Sequence, residues 1–460
     1  MSELSYEEFL KTKELQTIEA GFDVAREDLN PNLFEFQKDI VGWVLKKGKA
    51  AVFSDCGSGK TIVQLEFANQ IVKHTGKKAL VVAPLAVVKQ TKAEGEKFGI
   101  QANVCRTQED VKDGINIVNY EMLEHFDASE FICVVLDESS ILKSFTSTTR
   151  NLLIDMFVST PYKLCCSATP APNDFSEHGN TCEFLGIMSR VEMLASYFIH
   201  DGSNTSSWRL KGYGEKKFWE WMATWAVCIR NPADLGYSNE GYELPKLNII
   251  EHIVKSKVDD YEFIARRAET LSERREARKE SMNDRIKVAK ELVESSNDVF
   301  IVWCDYNVES ENLHKAIKDS VEIVGADSPE KKADVAIQFA NNEIKALVSK
   351  SSIYGMGMNF QNCHEMIFCG ISDSYEMFYQ AVRRCWRYGQ THDVNVHIII
   401  SEKELNVLDN IKKKQALMDT MQNNMIALMH DVTMSEIKHT TRITTEYKPK
   451  ERLELAKWIS

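Results

Sequence analysis

Phe53-Ser54-Asp55-Cys56-Gly57-Ser58-Gly59-Lys60-Thr61 is the stretch that decides the fold. Gly57 and Gly59 let the backbone turn tightly enough for N–H groups, including that of Ser58, to point at phosphate oxygens. Lys60 is then placed to reach β- and γ-phosphates, and the Thr61 hydroxyl to ligate Mg²⁺. Such a loop needs a strand before it and a helix behind it, because a helix N-terminus presents the positive end of a dipole. Residues 49–53 read as a short strand and 62–71 as an amphipathic helix, so both are present. Where the pattern usually starts with Gly, this chain has Ser54.

Asp137-Glu138 closes the apolar run 131–136, which reads as a strand. The C-terminal end of a parallel strand is where α/β sheets present ligands. Mg²⁺ prefers hard oxygen, so Asp137 can hold it, and Glu138 can orient or deprotonate a water. Together with the loop, this pair is a kit for binding and hydrolysing a magnesium-bound nucleoside triphosphate.

Outward from these sites, strand-like runs at 79–83, 115–118 and 163–166 alternate with helical patterns, which implies βαβ units and a parallel sheet. A second alternating block follows at 299–303, 346–348, 365–369 and 394–400. Two α/β domains with separate cores are the simplest account of a chain of 460 residues, which exceeds what one core holds. The stretch 175–247 has no clear strand series and carries Trp208, Trp219, Trp221 and Trp225, read as core packing more readily than as a platform for stacked bases. The charged run 255–290 mixes signs at helical spacing, which suits a solvated helix, with a nucleic-acid-facing helix as the alternative.

The net charge of −12 argues against general affinity for nucleic acid but leaves room for a local basic track. Eleven Cys, an odd number without a C-x-x-C pair, read as buried free thiols in a reducing cytoplasm. Cys363-His364 is the one tight Cys/His neighbourhood and lacks a second pair, so no metal beyond the nucleotide's Mg²⁺ is expected. The longest apolar run, 79–88, is too short for a membrane span, and the acidic N-terminus shows no secretory signal.

Further segments fall into a recognisable order. They are Leu33-Phe34-Glu35-Phe36-Gln37, Pro84-Leu85-Ala86-Val87-Val88-Lys89-Gln90, Asn119-Tyr120-Glu121 and Ser167-Ala168-Thr169-Pro170. In the second half come Gly355-Met356-Gly357-Met358-Asn359 and the stretch from Gln380 through Arg384 and Arg387 to Gly389-Gln390. This set resembles superfamily 2 of the helicases and translocases, specifically its Swi/Snf-like branch, and Ser54 suits the helicase-type loop. The resemblance implies two tandem RecA-like parallel-sheet lobes with an inserted helical segment and a helical C-terminal extension. The divisions expected are 1–174 for the ATP-binding lobe, 175–254 for insertion and linker, 255–400 for the second lobe and 401–460 for the extension.

By resemblance, Gln37 would read the adenine edge and Gly57, Ser58, Gly59, Lys60 and Thr61 would cradle the phosphates. Asp137 would share Mg²⁺ with Thr61, and Glu138 would handle the water. Ser167, Thr169, Gly357 and Asn359 would couple the nucleotide site to the inter-lobe cleft. Arg384 and Arg387 would reach the γ-phosphate from the second lobe, with Gln380 orienting nearby. The chain departs from the family pattern in three places. Ser140 stands where a His often closes the Asp-Glu box, Arg383 where an Asp is frequent, and Trp386 where a His is. The expected activity is that of a nucleic-acid-stimulated ATPase moving along duplex DNA. A strand-separating DNA or RNA helicase and a non-hydrolysing ATP-gated scaffold are the alternatives. ATP and Mg²⁺ are the expected cofactors and duplex DNA the expected partner, without a membrane. Economy of length resembles phage and other prokaryotic members, which points to a prokaryotic or phage-infected cytoplasm.

Overall fold

The computed structural model describes residues 21–201, 204–255, 268, 270–354 and 358–437. The first sheet, the heart of lobe 1, is wholly parallel and seven-stranded in the order β3-β4-β2-β5-β6-β1-β9. Its strands are β1 (Lys49–Ser54), β2 (Lys78–Ala83), β3 (Ala102–Val104), β4 (Ile115–Asn119), β5 (Phe131–Asp137), β6 (Tyr162–Ser167) and, after the hairpin β7 (Phe198–Asp201) and β8 (Asn204–Leu210), β9 (Ala226–Ile229). Central strands β1, β2, β5 and β6 are buried along nearly their whole length, because helices cover both faces and leave no polar side to alternate with.

Lobe 2 repeats the plan with six parallel strands in the order β10-β15-β14-β11-β13-β12. They are β10 (Leu247–Val254), β11 (Phe300–Cys304), β12 (Ser320–Ile323), β13 (Ala346–Lys350), β14 (Glu365–Cys369) and β15 (Val394–Ser401). The helix Leu405–Ile437 leaves lobe 2 and returns to lobe 1, where Met421 Sδ lies 3.3 Å from His178 Nε2 and Arg230 donates to Asn423 Oδ1 at 2.7 Å.

The strand reading needs correction in the stretch 175–254. It carries β7 to β10: β9 pairs with β1 in lobe 1, and β10 pairs in register with β15 in lobe 2. The expectation of separate cores is met only in part: one apolar cluster lies wholly in lobe 1 and one wholly in lobe 2, but a third spans both. Buried Trp219, Trp221 and Trp225 of lobe 1 join one apolar cluster with Met418, Met421 and Met425 of the C-terminal helix and with Trp303 and Phe368 of lobe 2. Those three Trp residues are core, as read, while Trp208 is partly buried against the same cluster.

Of the charged run, 256–267 and 269 lie outside the described residues; the rest forms the helices Leu271–Glu280 and Met282–Ser295. Most of its charges are solvated, but Arg278 and Arg285 turn inward. Arg278 pairs with Asp305 and Glu404, and Arg285 with Glu309. A buried guanidinium persists only with such partners.

Candidate nucleotide site and the cleft between the lobes

The loop 54–59 connects β1 to the helix Lys60–Thr75. Gly59 has φ 84°, and a Cβ there would come within 2.2 Å of Gln37 Nε2. Gly57 lies under Tyr388 of lobe 2, whose Cβ would stand 3.3 Å from an added side-chain carbon. The loop is thus a bare-backbone cradle. Ser54 closes it by accepting a hydrogen bond from Ser58 Oγ at 2.9 Å, a contact that Gly in its place could not make. Lys60 Nζ donates to Ser54 O at 2.8 Å and Asp55 O at 3.2 Å.

Asp137 ends β5 and faces the cradle. Gln64, one helical turn beyond Lys60 and fully buried, donates to Asp137 Oδ1 at 2.7 Å, and the Tyr120 hydroxyl donates to Asp137 O at 2.7 Å. Burial raises the Asp137 carboxyl pKa against the pull of Gln64 and Lys60. Glu138 sits in the left-handed region, φ 52° and ψ 54°, a conformation that costs an ordinary residue about 1–2 kcal/mol. Its Oε2 is buried without a partner. Burial pushes its carboxyl up to about 7; Lys60 and Arg384 oppose this and Asp137 and Glu376 add to it.

Lobe 2 closes the cleft with the segment from the helix Tyr375–Val382 to Gln390. Arg384 and Arg387 line the same cleft of about 260 Å³ as Gly57, Lys60, Thr61 and the two carboxylates. Their partners are carbonyls: Arg384 donates to Gln380 O at 2.9 Å and Met358 O at 3.2 Å, and Arg387 to Met358 O at 3.5 Å. Burial and the neighbouring Arg384 lower the Arg387 pKa, so its charge lacks full compensation. Arg383 pairs with Asp55 at 2.8 Å and donates to Cys56 O at 2.7 Å, while the Tyr379 hydroxyl also bonds Asp55. The unusual Arg383 therefore touches the phosphate loop itself.

Other expected residues lie outside the cleft lining. Gln37 is committed behind the loop: Nε2 donates to Ser58 O at 2.9 Å and Oε1 accepts from Phe34 N–H at 3.0 Å. In this arrangement it braces the cradle. Ser167 Oγ accepts from Thr169 N–H at 3.0 Å, and both side chains are buried beneath the site. Asn359 is exposed and Gly357 lies outside the described residues. Gln64, Gln90, Thr91 and Glu94 were not assigned roles from sequence, yet the first positions Asp137 and the others line the cleft.

All eleven Cys are free thiols, with only Cys56 partly exposed. Among the described residues Asp298, His364 and Glu365 have ligand atoms within 4.8 Å of one another. Glu365 accepts from Asn395 Nδ2 at 2.6 Å and lies 3.1 Å from His397 Nε2. No helix among the described residues is long and apolar enough to cross a membrane.

The SNF2-related domain matches residues 36–192, and the helicase conserved C-terminal domain matches 284–389. The chain belongs to the Swi/Snf-like branch of helicase superfamily 2. Its fold is the helicase-type ATPase motor core of that family. It is 23% identical over 418 residues to the SWI/SNF-related matrix-associated actin-dependent regulator of chromatin subfamily A-like protein 1 of Xenopus tropicalis, covering 81% of this chain and 43% of that protein. The Xenopus laevis counterpart is 22% identical over 415 residues, covering 81% and 42%. The chain thus spans less than half the length of the curated relatives it matches. Among solved structures, the DUF1998 helicase MrfA bound to DNA superposes with a TM-score of 0.54 at 15% identity, over 84% of this chain and 51% of that one, a likeness of fold. The Sulfolobus solfataricus SWI2/SNF2 ATPase core in complex with dsDNA gives a TM-score of 0.43 at 15% identity, over 90% and 98%.

Proposed function

We propose that this chain is a DNA-stimulated ATPase that couples hydrolysis to movement along duplex DNA. The observation that carries the reading is the shared cleft: Lys60, Asp137 and Glu138 from lobe 1 and Arg384 and Arg387 from lobe 2 line one cavity. A triphosphate needs cations on both sides of its γ-phosphate, and hydrolysis then requires both lobes in place. The donor set suits Mg-ATP: hard oxygens at Thr61 and Asp137, a glycine cradle, and a buried Glu138 oxygen without a partner. When bound, Mg²⁺ would neutralise charge building between the β- and γ-phosphates.

Lys60 would exchange its two loop carbonyls for phosphate oxygens. Glu138 would accept the proton of the attacking water. Arg384 and Arg387 would hold the γ-phosphate from the far lobe, so that hydrolysis alters the contact between lobes. Repeated opening and closing over a sugar–phosphate backbone gives directed movement. DNA in the named complex of the fold neighbour MrfA supports the choice of polymer.

The test compares ATPase rates without nucleic acid and with duplex DNA, single-stranded DNA and RNA, followed by displacement of a triplex-forming strand. Stimulation by duplex DNA with ATP-dependent triplex displacement is expected. Stimulation by single strands alone, with separation of a forked duplex, would move the assignment to a strand-separating helicase. ATP binding without turnover under every condition would leave only a scaffold.

A further inference from the structure

Glu376 has no part in the scheme above, yet it joins the catalytic turn to lobe 2. It is second in the helix Tyr375–Val382 and only 9% exposed. Its carboxylate takes a hydrogen bond from Ser140 Oγ on one oxygen and an ion pair from Lys143 Nζ on the other. Both donors belong to lobe 1, in the 3₁₀ turn Ser139–Lys143 that starts directly after Glu138. Ser140 Oγ also reaches back to Glu138 O at 3.4 Å. Two side chains from one turn thus converge on a single carboxylate across the cleft.

Glu138 needs something to hold it. Its backbone is in the left-handed region, and one of its carboxylate oxygens has no partner. Such a conformation persists only where its surroundings over-determine it. With the lobes apart, Ser140, Lys143 and Glu376 would each face water. With the lobes together, the bonds replace that water and pin the turn from lobe 2. Ser140 occupies the position where the family often has His, and in this chain its side chain bonds across the cleft to Glu376.

We infer that Glu376 is a positioning residue: through Ser140 and Lys143 it fixes the turn carrying Glu138 when the lobes close, and thereby links closure to hydrolysis. This rests on the hydrolytic reading above. Misplacing a reacting group by about 1 Å can cost on the order of 100-fold in rate, so loss of the tether should act on kcat.

The test uses the full chain at saturating ATP and DNA. Glu376→Ala should lower kcat by roughly 10- to 100-fold while KM and binding of a fluorescent ATP analogue change by less than about threefold, a split expected of a group acting on position. Ser140→Ala combined with Glu376→Ala should be no worse than Glu376→Ala alone, because both remove one link. Lys143→Glu should be impaired, and Lys143→Glu with Glu376→Lys should recover much of the rate by restoring the pair in reverse. If Glu376→Ala destabilises the chain, Glu376→Leu, which fills the site but offers no acceptor, carries the same test. Parental kcat in a folded Glu376 variant, or fully additive defects without recovery in the reversed pair, would overturn the inference while leaving the ATPase reading intact. Absence of hydrolysis by the parent chain would instead remove the reading on which it rests.

Discussion

Lobe 1 holds two of its buried or cleft-facing lysines against carbonyl oxygens, Lys60 on Ser54 O and Asp55 O and Lys163 on Phe184 O. Lobe 2 holds Arg278 and Arg285 against carboxylates, Asp305 and Glu404 for the first and Glu309 for the second. Carbonyl dipoles cancel only part of a positive charge, whereas a carboxylate supplies a full opposing one. The exceptions in lobe 2 are informative: Arg384 and Arg387 rest on carbonyls, and they face the cleft with Lys60. Cations with charge to spare therefore gather where a polyphosphate would bring the missing negative charge. Fully paired ones hold the second lobe together.

That division fails first at Lys60. Lys60→Ala should abolish ATP turnover with little change in melting temperature, since its present partners are loop carbonyls and no carboxylate is left stranded. The two measurements belong on the same preparation. Residual turnover near the parental rate would place the triphosphate elsewhere.

Arg384→Ala and Arg387→Ala come next. Cations reaching a γ-phosphate from a second lobe are typically worth about 10³–10⁵ in rate. Each variant should lower kcat on that scale and alter ATP affinity much less, because these residues contribute mainly when the lobes are shut. Single-turnover hydrolysis at saturating ATP and DNA reads the difference. If both hydrolyse at the parental rate, spare charge is not the mark of a functional cation here.

The contrast also explains how much of the molecule its sequence discloses. Phosphate binding demands donors at fixed short spacing, so Gly57, Gly59, Lys60 and Thr61 are legible together, and Asp137-Glu138 stands out at a strand end. Arg384 and Arg387 are legible only through resemblance. Gln64 and Asp137 lie 73 residues apart, and Ser140 and Glu376 lie 236 apart; no local spacing encodes such pairs. Arg278 and Arg285 stand in a run whose alternating signs match a solvated helix, and only the fold turns them inward. β9 is four apolar residues directly behind a Trp-rich helix, too short to show a period. β10 is different: Leu-Asn-Ile-Ile-Glu-His-Ile-Val contains a partial alternation, and its position within the expected linker 175–254 concealed it.

On the structural side, Arg285→Ala should cost about 3–5 kcal/mol of stability, because it strands Glu309 in a fully buried position. Glu309 together with Cys369 raises the Arg285 pKa against the opposing effect of burial, so the guanidinium stays charged throughout the working range. Replacing both partners, as in Arg285→Met with Glu309→Leu, should recover most of the loss, since removing a whole buried pair is often neutral. Thermal and urea unfolding of the three chains decide it. A loss under about 1 kcal/mol for Arg285→Ala would match an exposed pair instead.

The smallest effect belongs to Lys163, the one carbonyl-held cation of the comparison outside the cleft. Its ammonium donates to Phe184 O at 2.8 Å and lies 5.1 Å from the centre of the Phe184 ring. Burial, with Lys49 nearby, pushes its pKa down to about 8. Below that pH the lysine is charged in both folded and unfolded chains, and the folded state bears the full desolvation cost. Above its ordinary value it is neutral in both, and the cost is gone. The parent should therefore gain stability relative to Lys163→Met as pH rises from 7 towards 10. The difference in melting temperature, variant minus parent, should fall by on the order of 2 °C across that range. The lost hydrogen bond to Phe184 O shifts this difference by a constant, so the slope is the diagnostic quantity. A flat difference would mean that the ring and the carbonyl compensate the charge as well as a carboxylate does. Lys60 would then lose its claim to spare charge on the same grounds.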